Sequence, residues 1–386
     1  MLQSFMRVAL VHDYLNQLGG AERVFREIAR LFPEAPVYTI LSERAFARSL
    51  LPGRTIVTSF LDRLPWLRRH HYYGLWLMPL AIEQFDFSDY DLVISSSSSF
   101  AKGILTGPET LHLSYVATPL RYVWEDYYEE RERFPLPRVL SPLVGRAVHY
   151  VRLWDALAAR RPDAVATNSV FSSRRIAKYY RRTATVIHPP VDCGKFRAAR
   201  PAGTAGRSYF LMVGRLTPYK RFDIAIEAFK TLPDELWIVG DGPDRRRLGR
   251  LAGANVRFLG RVAESALPGL YANAAALIFP QEEHFGLVAV EAMAAGTPVI
   301  ALAAGGALET VAAGVSGVFF DEQSPESLTA AVERFDRSAF DAERIRAEAL
   351  QFDTPVFQKK FLEFVSAQIA SRSAKYGQSS ASIQRA

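Results

Sequence analysis

The feature that most constrains this chain is an alternation of short, continuously apolar runs with amphipathic stretches, and the alternation runs twice. Residues 7–12 (RVALVH) lack the every-second-residue gaps of a half-solvated strand, so they read as a strand buried on both faces. A loop with Gly19-Gly20 follows. AERVFREIARLF (21–32) then spaces Ala21, Val24, Phe25, Ile28, Ala29 and Phe32 three and four apart, the stripe of a helix packing one face. Further strands are predicted at 37–41, 55–58, 92–95, 113–117, 164–167 and 185–188, with helices between several of them. The pattern restarts after RAARPAGTAGR (197–207), a Gly/Ala/Pro-rich segment that reads as a connection between domains. Beyond it come a strand at 209–213, a helix at 222–231, and strands at 236–239, 256–259, 276–279 and 299–301. Strand–helix alternation of this kind implies parallel sheets with crossover helices.

The expected fold class is therefore α/β, with two Rossmann-like domains. Ligands in such sheets bind at the carboxyl ends of the strands, so two facing sheets predict a site in the cleft between them. The expected division is a first domain over 1–195, a second over 205–354, a C-terminal helix over 355–370 packing back on the first domain, and a polar, disordered tail over 371–386.

Composition removes other classes. Of 386 residues, 49% are hydrophobic and 23% charged, which excludes disorder, collagen and coiled coil. A single cysteine, Cys193, allows no intrachain disulfide and fits a reducing compartment. No CxxC or HExxH occurs, and no metal site is expected. The least polar long stretch, 286–308, is interrupted by Glu291, Pro298 and glycines, so no membrane span is predicted. The N-terminus lacks a signal-peptide pattern, and a cytoplasmic protein is expected.

The net charge of +7 is uneven. Residues 131–182 hold twelve Lys and Arg against Glu132, Asp155 and Asp163, and LPWLRRHHYYGLWLMPL (64–80) interleaves aromatics with Arg68, Arg69, His70 and His71. Such a mixture suits an anionic membrane surface or a lipid-phosphate substrate, and equally a solvated helix face over a core. No base-reading module accompanies it, so nucleic acid is not an expected partner.

Three clusters carry candidate chemistry. Glu283 and Glu291 stand eight apart around Phe285-Gly286-Leu287. A glycine there lets backbone N–H groups approach a ligand, and a helix starting near it would favour anions. One acid could touch a reacting sugar and the other a ribose hydroxyl pair; an ordinary helix with incidental acids would look alike. GRLTPYKR (214–221) follows a strand, and Gly214, Arg215 and Lys220 could hold a diphosphate, with the cations stabilising its departure. Gly19-Gly20 is a third phosphate-contacting candidate. Asp89-Tyr90-Asp91 matches a metal-binding D-x-D pattern, but it precedes its strand and so lies at the wrong end. Ser95–Ser99 could line an acceptor or simply form a polar loop.

Together these motifs resemble the retaining glycosyltransferases of family 4, with the two-domain GT-B fold. The resemblance covers residues 6–365. Besides the pieces above it includes VGDGPD (239–244), AAGTPVIALAAGG (294–306), HPPVD (188–192), TNSVFSSRRI (167–176) and GGAER (19–23). TPYKRFD (217–223), YDLVISSS (90–97), TPLRYVWED (118–126) and GGALETV (305–311) are most similar to mannosyltransferases of bacterial O-antigen and exopolysaccharide assembly. The resemblance implies that Arg215 and Lys220 bind the donor diphosphate. It implies that Glu283 contacts the donor sugar and Glu291 the ribose, that backbone at Phe285, Gly286 and Leu287 holds sugar and phosphate, and that Gly20 stands on the opposite wall. It further implies a nucleotide sugar as co-substrate, GDP-mannose first and UDP-glucose as the alternative, with no metal. The acceptor would be a polyprenyl-diphosphate-linked oligosaccharide at the inner face of the cytoplasmic membrane; Asp13, Arg121 and Trp124, at predicted strand ends, are candidates for the acceptor side. One position departs from the family: the histidine usually found just before Thr118-Pro119 is Ala117, whose methyl cannot hydrogen-bond a sugar. This implies a weakened enzyme, or a nucleotide-sugar-binding relative without transfer, unless another residue substitutes.

Overall fold

The computed structural model describes residues 6–69, 71–125, 141–198 and 209–383. The chain divides into two compact units, one of Met1–His188 with Gln358–Ala386, the other of Pro189–Phe357. Most of the connection expected at 197–207 lies outside the described residues.

The first unit is a parallel sheet of seven strands: β1 (Val8–Leu15), β2 (Val37–Ser42), β3 (Ile56–Thr58), β4 (Leu92–Ser97), β5 (Leu111–Val116), β6 (Ala164–Thr167) and β7 (Thr185–Val186). Their order is β3-β2-β1-β4-β5-β6-β7. The chain winds outward in one direction from β1 and in the other from β4, so the switch point lies between these strands, which pair directly from Val8 opposite Leu92 to His12 opposite Ser96. The second unit is a parallel six-stranded sheet: β8 (Tyr209–Val213), β9 (Glu235–Val239), β10 (Val256–Gly260), β11 (Ala274–Phe279), β12 (Val299–Leu302) and β13 (Gly317–Phe320). Its order, β10-β9-β8-β11-β12-β13, puts the switch point between β8 and β11.

Burial explains why these strands read as unbroken apolar runs. In β8, Tyr209 and Leu211 enter one core cluster while Phe210 and Met212 enter another; β11 divides likewise, with Leu277 and Phe279 against Ala276 and Ile278. Alternate side chains leave opposite faces of a strand, and helices cover both. In the first unit, the stripe of helix Gly20–Leu31 behaves as its periodicity predicts, with Val24, Phe25, Ile28 and Ala29 buried.

The structure departs from the predicted boundaries in two places. Val191, Cys193 and Phe196 are buried in the core of the second unit, and Val191 bridges to Asp353, so residues 189–197 pack with that unit. Burial pushes the Cys193 thiol up to about 12, which leaves it protonated. The C-terminal helix spans Thr354–Ile383, through residues assigned to a disordered tail. Ala, Lys, Arg and Gln within that stretch are good helix formers, but its serines and Gly377 are not, so local propensity did not announce the extension. In the first unit its Phe361 lies 6.4 Å from Tyr115, and Arg372 donates to the Pro108 carbonyl at 2.7 Å.

Two buried polar clusters inside the first unit are paired through side chains. The Lys102 ammonium meets the Asp155 carboxylate at 2.6 Å with both side chains essentially without solvent exposure. Trp124 Nε1–H and the Tyr180 hydroxyl each donate to the other Asp155 oxygen at 2.8 Å. His112 on β5 is also fully buried. The Ser95 hydroxyl donates to Ser114 at 2.8 Å, which leaves His112 Nε2–H to donate to Ser95 at 2.9 Å. Burial, reinforced by Arg161 and Arg182, lowers the His112 pKa to about 3. Its native ring thus stays neutral where an unfolded histidine, with a pKa near 6.5, takes a proton. Below about pH 6.5 the unfolded state binds one more proton than the native state, so stability falls with pH towards 3, by up to about 1.4 kcal/mol per pH unit. Urea melts between pH 7.5 and 5 should show this slope, and His112→Gln should flatten it by one proton; an unchanged slope would remove His112 as its source.

Candidate active site

Lys220 and Glu283 come together. Lys220 ends the single helical turn Pro218–Lys220 that follows β8, and Glu283 stands in the loop that follows β11. These strands flank the switch point of the second sheet, where the loops diverge and leave a crevice for a ligand. The Lys220 ammonium contacts Glu283 Oε1, and the two side chains are 13% and 16% exposed. Both are thus partly accessible to solvent. Gln281 donates an amide hydrogen to the same Glu283 oxygen at 3.3 Å.

Glycines let the surrounding loops close on one another. Gly214 N–H donates to the Val239 carbonyl at 3.0 Å, Leu216 N–H to Asp241 at 3.1 Å, and Asp244 N–H to Leu216 at 3.1 Å, joining GRLTPYKR to VGDGPD backbone to backbone. Gly240 has φ +129°, and a Cβ there would stand 1.8 Å from the Gly214 oxygen. The double glycine after β12 works likewise. Gly306 N–H donates to the Glu283 carbonyl at 2.7 Å, and a Cβ on Gly306 would lie 2.4 Å from the Phe285 Cα. Both motifs are thus braces for the loops that carry Arg215, Lys220 and Glu283.

The other donor-side candidates also lie in this unit. Gly214 and Arg215 follow β8 directly; Arg215 is exposed, and its guanidinium has no hydrogen bond or ion pair among the described residues. Phe285 is buried, with its ring edge-on to Phe352 at 5.3 Å. Gly286 takes φ +92° as the N-cap of helix Leu287–Ala294, whose first amide is that of Leu287. Glu291 is 3% exposed and accepts from the Tyr271 hydroxyl at 2.8 Å, so this acid is anchored from behind.

In the first unit, Gly19 caps helix Gly20–Leu31 in an extended conformation just beyond β1. Ala117 follows β5 directly, its N–H bonded to Ser97 at 2.9 Å. Arg121 opens the short helix Arg121–Trp124. Two acceptor-side candidates are engaged internally. Asp13 is buried, and its oxygens accept the backbone N–H groups of Ser98, Ser99, Phe100 and Ala101 at 2.6–2.8 Å. Trp124 is bonded to Asp155 and stacked on Tyr179. Ser95, Ser96 and Ser97 are buried within β4, so these serines are strand interior. Asp89 and Asp91 lie at the amino end of β4 beside Arg7.

Sequence reasoning missed Gln281, Tyr271 and Gln323. Gln281 carried a signal, standing two residues before Glu283 at a strand end. Tyr271 and Gln323 reach the site only through tertiary contact.

Comparison with known proteins supports the resemblance over the second unit. Residues 198–352 match the family Glycosyl transferases group 1. The chain is 30% identical over 266 residues to the D-inositol 3-phosphate glycosyltransferase of Mycobacterium leprae, a match covering 59% of this chain and 62% of that protein. The chain thus spans about three fifths of that relative's length. Among solved structures, Anabaena Alr3699/HepE in complex with UDP superposes with a TM-score of 0.68 at 21% identity, over 94% of this chain and all of that one. The sucrose-phosphate synthase of Thermosynechococcus elongatus gives 0.72 at 18%, over 94% and 99%. The fold is the α/β pair of Rossmann-like domains of GT-B glycosyltransferases.

The glycine contacts generate a prediction. Gly306→Ala must move either its own loop or Phe285, and should cost about 2–4 kcal/mol in urea melts. A cost under about 0.5 kcal/mol would mean that the contact is not tight.

Proposed function

We propose that this chain is a retaining glycosyltransferase that takes a hexose from a nucleotide sugar. The observation that carries the reading is the Lys220–Glu283 contact at the switch point, inside the segment that matches group 1 glycosyl transferases. In this reading the diphosphate of the donor takes the place of Glu283 as the partner of Lys220. Arg215 adds a second cation, and the amides at Gly286 and Leu287 face the same anion. As the bond from the anomeric carbon to the diphosphate oxygen lengthens, negative charge grows on the leaving oxygen, and these groups, already oriented, stabilise it. They take the charge-neutralising part that a metal ion plays elsewhere. Glu283, released from Lys220, accepts from a sugar hydroxyl, and Glu291 binds the ribose. The acceptor hydroxyl attacks on the face that the diphosphate leaves and passes its proton to the departing diphosphate oxygen, so configuration is kept.

The donor in this proposal is GDP-mannose, on the motifs most similar to mannosyltransferases. UDP-glucose is the second reading, favoured because Alr3699/HepE was also solved with UDP-glucose. The acceptor is a polyprenyl-diphosphate-linked oligosaccharide, reached from the inner face of the cytoplasmic membrane. Exposed apolar side chains support the lipid side. Trp66, Trp76, Leu80, Leu153 and Leu157 are each more than half exposed, and Leu153 and Leu157 lie one turn apart on helix Ser141–Ala158. Part of the basic stretch has another use. Arg152, Arg161 and Arg182 donate to backbone carbonyls and Arg175 pairs with Glu125, which leaves Arg146, Arg160, Arg174, Lys178 and Arg181 as exposed cations among the described residues. Described helices include none long and apolar enough to cross a membrane.

Thermal shifts with GDP, UDP, GDP-mannose and UDP-glucose, without metal, test the donor. Saturation at a hundredfold excess over Kd adds about 2.7 kcal/mol of stability. Stabilisation by the guanosine pair alone supports the first reading, stabilisation by the uridine pair the second, and no shift from any of the four removes both. Lys220→Ala should lower turnover about 100-fold or more with a small change in Tm; unchanged turnover overturns its role. Ala117→His should raise transfer with little change in donor affinity if the missing histidine is what limits the enzyme. Sedimentation with anionic vesicles should carry the protein down, and Leu157→Ser should weaken this; equal, negligible binding to anionic and neutral vesicles removes the membrane claim.

A further inference from the structure

Lys220 is followed by a residue under conformational strain. Arg221 has φ 52° and ψ 39°, the left-handed region that side chains other than glycine seldom enter, and Arg181 alone shares this among the described non-glycine residues. The reversal at Arg221 ends the turn that presents Lys220 and starts helix Phe222–Ala228. Strain of this kind persists where surrounding contacts over-determine it. The contacts here are specific. Arg221 Nη1–H donates to Gln323 Oε1 at 2.8 Å, and Gln323 Nε2–H donates to the Pro280 carbonyl at 2.9 Å. Pro280 directly follows β11 and opens the loop that carries Glu283. The loop after β8 and the loop after β11 are therefore tied both by Lys220 to Glu283 and by an amide bridge that uses both ends of Gln323.

We infer that Arg221 and Gln323 are positioning residues, which set where Lys220 stands relative to Glu283 before the donor arrives. The functional consequence rests on the donor-site reading above. Gln323 is exposed, so its hydrogen bonds exchange readily for water and add little to the stability of the fold. What the bridge fixes is distance and direction. When a donor diphosphate takes Lys220 from Glu283, that direct tie is lost, while the amide bridge does not involve Lys220 and is kept. Small displacements of a positioned charge weaken its action on the transition state more than its attraction for the bound ligand.

The test uses the full chain and two readouts. Gln323→Ala removes the bridge; Arg221→Gly removes the guanidinium while keeping a residue at ease in the left-handed turn; Arg221→Lys keeps a donor for Gln323. The first readout is acetylation of Lys220 by a soluble active ester, followed by peptide mass spectrometry, which needs no substrate. Gln323→Ala and Arg221→Gly should each raise the rate at Lys220 severalfold with Tm within about 2 °C of the parent. The double variant should go no further than either single one, and Arg221→Lys should recover much of the protection. The second readout is release of GDP or UDP from GDP-mannose or UDP-glucose by hydrolysis, with water taking the hexose in place of the acceptor. The bridge variants should lose about tenfold in kcat with less than threefold change in KM. Unchanged Lys220 acetylation in both single variants, or effects that add in the double variant, overturns the inference. A parent protein that binds and turns over neither nucleotide sugar overturns the donor reading instead, and the acetylation series still decides the bridge.

Discussion

Parallel pairing buries both faces of each sheet, and that constraint organises the rest of the molecule. A strand with helices on both sides has no face left for chemistry, so polar function is confined to the edge where strands end. In the second unit β8 and β11 are adjacent at that edge, yet the chain leaves them in opposite directions around the sheet. Lys220 and Glu283, far apart in sequence, meet because of this divergence. Each of the loops that bear them is braced by a neighbouring loop through glycine-enabled backbone contacts, Gly214 to Val239 on one side and Gly306 to Glu283 on the other.

Two of the lysine–carboxylate pairs among the described residues are of opposite character. Lys102–Asp155 is sealed from solvent, and the acid is saturated by Trp124 and Tyr180. Desolvation of both charges is offset only because every partner is in place, and the pair has nothing left to offer a ligand. Lys220–Glu283 stands at the sheet edge with partial exposure. There an incoming anion can compete for the cation, and the cost of exchanging partners is lower. The same two functional groups thus serve as an internal tie in one unit and as a candidate binding pair in the other, and depth below the surface makes the difference.

Much of the fold is legible in the sequence, because a doubly covered strand leaves an unbroken apolar run and a one-sided helix leaves a stripe. β1, β8 and the helix after Gly19-Gly20 fall where those patterns put them. The end of the C-terminal helix was not legible, since polar composition suits a solvated helix and a flexible tail equally. Within the site, Lys220 and Glu283 could be singled out because strand ends and glycines mark them. Asp13 and Trp124 were singled out by the same logic, and each is consumed by internal hydrogen bonds. A strand end is also where a loop needs capping, and sequence spacing does not distinguish a carboxylate that caps from one that binds. The bracing roles of Tyr271 and Gln323 depend on contacts across the unit, which no local pattern announces.

The sealed Lys102–Asp155 pair also limits how this sequence can change over time. Replacing either residue alone strands a charge in the interior, at a cost of about 3–5 kcal/mol, comparable to the whole stability margin of many domains. Two apolar residues of similar volume could be as stable as the pair, yet every single-step route to them crosses that deficit. The two positions are therefore expected to persist together or to vanish together across descendants. Trp124 and Tyr180, which complete the shell of the acid, would be released to drift only after such a joint exchange.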